Sequence, residues 1–186
     1  MQRGGEMAIE KVLLLSGAIG AGKTEVAKEM TQTYQFIKIA SSGYLVSLIP
    51  PDELKEGNER RRQLQELGDR LDEETGYRWI VDPVAVQAVK ANPDVKNWLV
   101  DAVRKERQVE LFRERFQAPV RHVHLTASEE VLRSRYAEKA GDYDAAIAHP
   151  NEVNARSLKK LADLVLDTSS AKAELLAQHI WSTWRS

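Results

Sequence analysis

The 186-residue sequence contains no cysteine, which removes disulfides, zinc–thiolate sites and thiol nucleophiles together and is compatible with a reducing compartment. It also lacks a dominant sign of charge. Its 27 basic and 28 acidic residues leave a formal net charge of −1, so there is no global field to hold nucleic acid, and no nucleic-acid or membrane partner is expected. No stretch approaches the ~18 apolar residues of a membrane span. Met1 to Lys11 carries Arg3, Glu6 and Glu10 and has no signal-type apolar core, so a soluble cytoplasmic protein is the expectation. Internal repeats and low-complexity tracts are absent as well. The length and the 42% of hydrophobic residues suffice for one full core, which predicts a single domain over residues 1–186.

Glycines are few, yet three of them fall within Val-Leu-Leu-Leu-Ser-Gly-Ala-Ile-Gly-Ala-Gly-Lys-Thr, residues 12–24. Gly17, Gly22, Lys23 and Thr24 fit G-x-x-x-x-G-K-[ST], in which glycines let successive backbone N–H groups curl around a polyphosphate. In that reading the backbone of Gly17, Ala18, Ile19, Gly20, Ala21 and Gly22 cradles ATP and Lys23 reaches the β and γ phosphates. Thr24 places its hydroxyl on Mg²⁺ at the start of a helix, whose free N–H groups and dipole favour an anion. The context agrees on both sides. Val12 to Leu15 is a buried-strand pattern, and Val26, Ala27 and Met30 follow at helical spacing.

Along the chain, Phe36 to Ala40 reads as a second strand ending at Ser41-Ser42-Gly43, where either a ligand contact or a plain helix cap fits Ser41. Residues 43–92 read as a helical insertion. Its surface helix carries Arg60, Arg61 and Arg62, arginines that on a helix taken alone form a solvated face. Asn97 to Arg104 is a third strand that ends in Asp101, with Arg104 three residues on; an acid beside a phosphate loop can hold a Mg²⁺-bound water or orient an acceptor. His122 and His124 share one face of a fourth strand and read as a partly buried structural pair rather than metal ligands. Ser128 caps the next helix, which bears Arg133 and Arg135. Residues 139–151 read as a mobile flap, 152–161 as a helix, Asp163 to Thr168 as a fifth strand, and Ser169 or Ser170 as the cap of a last helix.

This order of elements is that of the nucleoside monophosphate kinase group. Ser41-Ser42-Gly43, Arg61-Arg62-Gln63-Leu64-Gln65-Glu66-Leu67-Gly68 and Val100-Asp101-Ala102-Val103-Arg104 resemble the deoxynucleoside monophosphate kinases and their relatives, which include dephospho-coenzyme A kinase. The resemblance implies a three-layer α/β P-loop fold, with a mostly parallel five-stranded sheet between helices, and transfer of the γ-phosphoryl group of ATP to a phosphorylated small-molecule acceptor. It implies that an arginine of the 60–62 cluster and Arg104 grip the acceptor phosphate, and that Gln65 reads the acceptor base. Arg133 and Arg135 would match the lid arginines, and Thr168 would lie near the adenine. The flap is shorter, and its arginine pattern sparser, than that family's lid. A GTPase switch is disfavoured, since neither Asn-Lys-x-Asp nor Asp-x-x-Gly occurs. A nucleotide-binding sensor without turnover is the other reading.

Overall fold

A computed structural model describes residues 9–117, 119–137, 143–148 and 150–184. Five strands form one sheet: β1 (Lys11–Gly17), β2 (Ile37–Lys38), β3 (Asn97–Asp101), β4 (Val120–Thr126) and β5 (Leu164–Asp167). They lie in the order β2-β3-β1-β4-β5, and every pairing is parallel. Parallel neighbours need crossovers, and the helices that supply them cover both faces, so the central strands are buried on both sides and mostly apolar.

The two-residue period of β1 divides the core. Val12 and Leu14 face one cluster, which takes in Trp98 and Val100 of β3, while Leu13 and Leu15 face the other with Leu99, Val123 and Leu125. Helices α1 (Lys23–Thr33) and α9 (Ala173–Ser182) cover the second face with Val26, Ala27 and Met30 against Leu176, Ala177 and Ile180. Helix α5 (Glu106–Phe116) and the segment between β2 and β3 cover the first. Trp181 and Trp184 pack beside Phe36, and so serve the core as their helical stripe suggests.

The insertion consists of α2 (Ser41–Ser47), α3 (Gly57–Thr75), a 3-10 turn at Arg78–Ile80, a π-helical turn at Val81–Ala85 and α4 (Val86–Ala91). Pro83 stands inside the π-helical turn rather than at a regular helix start. A proline has no N–H for the usual helical bond, and a wider turn accommodates that gap. The buried side chains Trp79, Ile80, Val81, Val84, Val86 and Val89 join the first core cluster, so the insertion is packed into the domain. Asp72, only 7% exposed, accepts a 2.8 Å bond from Trp79 Nε1, and its burial raises the carboxyl pKa.

Downstream come α6 (Glu129–Ala137), α7 (Tyr143–Ile147) and α8 (Pro150–Ser157), the last running into a 3-10 turn at Leu158–Leu161. Residues 139–142 and 149 of the expected flap lie outside the described residues. Ser128 caps α6 through Val131 N–H at 3.3 Å, as its position predicts. Neither Ser169 nor Ser170 caps the last helix: α9 starts at Ala173 after Lys172. The Ser169 N–H instead bonds Asp167 at 2.7 Å, and its hydroxyl accepts from Ser128 N at 3.0 Å. Among the described residues no helix is long and apolar enough to cross a membrane.

One buried polar cluster interrupts the first core face where β1 meets β4. Ser16 Oγ lies 2.7 Å from His122 Nε2 and 2.8 Å from His124 Nδ1, and all three residues are buried. A hydroxyl has one proton, so Ser16 donates to one ring and accepts from the other. Two neutral imidazoles satisfy that arrangement. Burial, above all, lowers each histidine pKa from 6.5 to about 4; Arg113 acts in the same direction at His122, where the Leu161 backbone and then Asp163 oppose it, and the His122 ring, Lys159 and Lys23 act in the same direction at His124. Because the folded values lie below the unfolded ones, the stability held by the neutral pair is complete above pH 6.5 and is lost as pH falls toward 4. Urea denaturation between pH 7 and 4 is expected to show up to about two protons taken up on unfolding, and His124→Gln should reduce that dependence by roughly half. An unchanged slope in the variant would place the acid sensitivity elsewhere.

Candidate functional site

The C-terminal end of β1 delivers the chain into the glycine loop, and three left-handed glycines shape it. Gly17, Gly20 and Gly22 have φ of 139°, 80° and 78°. At Gly17 space is as decisive as φ, because a Cβ there would stand 2.3 Å from the Leu125 carbonyl oxygen on β4. The loop therefore passes tightly over the sheet and turns through Gly22 into α1. Lys23 opens that helix, and its ammonium donates 2.7 Å bonds to the carbonyls of both Gly17 and Ala18. With its carbonyls gathered by one cation, the loop has the curl in which backbone N–H groups form an anion-binding concavity.

Neighbouring elements brace the loop. Thr168, buried at the end of β5, donates from Oγ1 to the Ala21 carbonyl at 3.2 Å and accepts from Arg135 Nη1 at 3.0 Å. Arg135 also reaches the Gly20 carbonyl at 3.3 Å and the Thr168 carbonyl at 2.7 Å. Both residues thus hold loop backbone. On another side, the Ile19 N–H donates to Glu152 Oε1 of α8 at 2.6 Å. A cavity of about 180 Å³ opens beside Ala18, with Glu129, His124, Arg156 and Lys159 in its wall.

Strand order places the acid. Since β3 is hydrogen-bonded directly to β1, Asp101 pairs in register with Leu15, two residues before Gly17. Thr24 is exposed in the first turn of α1, so its hydroxyl is accessible. Asp101 is bound by Lys38 of the edge strand β2 at 2.9 Å, with the lysine side chain 48% exposed. The Asp101 side chain is itself only 13% exposed, so the pair is open to solvent on the lysine side alone. Among the described residues no group of three or more His, Asp or Glu could hold a metal. One hydroxyl and one carboxylate are the hard oxygens Mg²⁺ takes when most of its shell is phosphate and water, so the donor types of Thr24 and Asp101 suit that ion.

The remaining expected contacts are more dispersed. Arg133 makes a bidentate pair with Asp144 at 2.7 and 3.0 Å and lies over the Tyr143 ring at 4.8 Å. Arg62 is paired along its helix with Glu66 at 2.8 Å and is largely exposed. Arg61 lies in α3, and its side chain is outside the described part of the structure. Gln65 is half-buried on α3, Ser41 is the first residue of α2, and Arg104 is exposed just beyond β3. A second cavity, of about 300 Å³, lies between α3 and residues 48–53; Gln63, Glu66 and Arg70 line it, and no loop residue does. The sequence reading missed Lys38, Glu152 and Arg156. Only the adjacency of β2 to β3 signals the first, and nothing in the local pattern of α8 signals the other two.

No curated protein matches the chain at a significant level. Among solved structures, a sugar kinase from Janibacter sp. HTCC2649 matches at 19% identity over 94% of each chain, with a TM-score of 0.53. The APS kinase of Mycobacterium tuberculosis matches at 16% identity over 96% of this chain and 99% of the other, with a TM-score of 0.53. Dephospho-CoA kinase from Campylobacter jejuni matches at 13% identity over 94% and 97%, with a TM-score of 0.52. At these identities the likeness is one of fold, the five-stranded parallel sheet with a phosphate loop after its central strand. A family model described as AAA domain matches residues 13–158, from the first strand through α8, and the chain accordingly belongs to that AAA domain family, within the P-loop proteins of nucleoside-monophosphate-kinase-like fold.

Proposed function

We propose that the protein is an ATP-dependent small-molecule kinase that transfers the γ-phosphoryl group to a nucleoside monophosphate or a similar phosphorylated acceptor. The observation that carries this reading is the loop from Gly17 to Thr24, curled by Lys23 onto two of its own carbonyls, with Asp101 at the end of the adjacent strand. The fold-level likeness to kinases of sugars, APS and dephospho-CoA supports it without choosing the acceptor.

In this reading the loop backbone from Ile19 to Thr24 binds the donor's phosphates and Lys23 offsets the charge that develops between the β and γ groups. Thr24 and Asp101 would hold Mg²⁺, which when bound would supply further charge neutralisation on the donor. Thr168 and Arg135 keep the loop in shape beside the nucleotide, and Arg135 acts through the loop unless closure releases it. Lys38 shares Asp101 at rest and is freed when the carboxylate turns to other partners. Arg104, with Arg61 or Arg62, faces the acceptor's phosphate, while Ser41 and Gln65 line the acceptor side. Arg133 would have to leave Asp144 to contribute. Phosphoryl transfer asks little covalent chemistry of the protein, so positioning and positive charge supply most of the rate.

A coupled ADP-release screen against nucleoside monophosphates, their deoxy forms and dephospho-coenzyme A tests the proposal. ADP formation that depends on one added acceptor class is expected; nucleotide binding with no acceptor-dependent turnover would favour the sensor reading. Lys23→Ala should lower kcat by about a hundredfold or more with little change in melting temperature, because the ammonium supports no core. More than about a tenth of wild-type turnover would contradict its role. Asp101→Asn should keep most of the ATP affinity while lowering kcat by at least about tenfold; unchanged turnover would make Asp101 a strand-end residue held only by Lys38.

A further inference from the structure

The Ala18–Ile19 peptide has partners on both sides. Its carbonyl accepts from Lys23 at 2.7 Å, and its N–H donates to Glu152 Oε1 at 2.6 Å. A trans peptide directs these two groups oppositely, so the lysine and the glutamate hold the loop from opposite faces. An N–H to carboxylate bond this short is charge-assisted, the kind a phosphate oxygen would make at the same donor. The same oxygen, Oε1, lies 3.5 Å from Arg156 Nε, so it sits between a loop N–H and a guanidinium. Arg156 is in turn bonded to Glu129 and, at 2.9 Å, to the Tyr143 hydroxyl. One residue back, Asn151 donates to Asp69 of α3 at 3.3 Å. Helix α8 thus touches the phosphate loop with one side chain and the acceptor-side insertion with the previous one.

Resting on the reading of the loop as a nucleotide site, we propose that Glu152 is an internal anion that competes with the nucleotide for the loop. Incoming phosphates displace the carboxylate and leave Arg156 to be shared with them. The electrostatics favour the exchange in that order. With Glu152 in place, Arg156 faces two carboxylates, Glu129 and Glu152, and carries no surplus positive charge toward the loop; once Glu152 leaves, an anion at the loop meets an arginine with one fewer acid beside it.

Calorimetric titration of the full chain with Mg·ADP, in wild type, Glu152→Gln and Glu152→Ala, tests this, with melting curves to verify that each variant is folded. Both variants should bind about tenfold more tightly, because the competing charge-assisted contact is gone. Adding Arg156→Gln to Glu152→Gln should reverse the gain by about tenfold, since the arginine relieved of Glu152, though still bonded to Glu129 and Tyr143, is the cation the bound phosphates would share; a gain that survives the second substitution would overturn the sharing of Arg156. Equal or weaker binding by both Glu152 variants, with wild-type binding intact, would make Glu152 a structural support of the loop and overturn the competition while leaving the nucleotide site standing. If neither wild type nor variants bind Mg·ADP, the nucleotide reading itself fails, and this proposal with it.

Discussion

Two hydrogen bonds from one lysine govern the geometry on which the rest of the site depends. Lys23 draws the Gly17 and Ala18 carbonyls toward itself, and a loop so gathered cannot also present those carbonyls to a polyanion. The N–H groups are the loop's remaining polar groups, though Ile19 N–H is bonded to Glu152 and Ala21 N–H to the Ala18 carbonyl, and the left-handed glycines make the conformation accessible at little cost. Residues from β4, β5, α6 and α8 contact this loop. Leu125 closes against Gly17 from β4, Thr168 and Arg135 hold Ala21 and Gly20 from β5 and α6, and Glu152 holds Ile19 from α8.

Below the loop, Ser16 links the core to the chemistry. It is the last residue of β1 before the first loop glycine, yet it is fully buried and bonded to both histidines of β4. A hydrophobic residue there would leave two buried imidazoles unpartnered, at a cost of about 1–3 kcal/mol for each orphaned group. The pair is therefore best understood as the polar floor on which the loop rests. Its low pKa values keep that floor neutral at ordinary pH, and the nearby cations Lys23 and Lys159 favour the neutral form of His124 as well.

How much of this could be read in the sequence depended on how local each feature is. The strand–loop–helix conformation at residues 12–24 was legible, because the glycines that shape it and the strand and helix patterns on either side are local in the chain. The alternation of Val12 to Leu15 and the apolar strand before Asp101 also announced buried parallel strands, and the sheet has them in the expected number. Features that depend on distant segments meeting were not legible. Lys38 meets Asp101 only because β2 pairs with β3, and Glu152 meets Ile19 across more than a hundred residues. The helix end near Ser169 was misread for a related reason: its hydroxyl satisfies the Ser128 N–H on another segment, and the helix starts later. Likewise the sequence alone does not show that Arg62 and Arg133 are each paired with an acid, on its own helix and on α7 respectively.

That the loop at 17–24 is the binding site for a nucleotide polyphosphate is most directly tested by following backbone amide resonances of the full chain as Mg·ADP is added. Ile19 to Thr24 should shift together and saturably, with Thr168 and Arg135 responding through their bonds to the loop and the buried strand β3 unmoved up to Val100. Saturable binding that leaves the amides of residues 19–24 unshifted, with the response concentrated elsewhere, would contradict it.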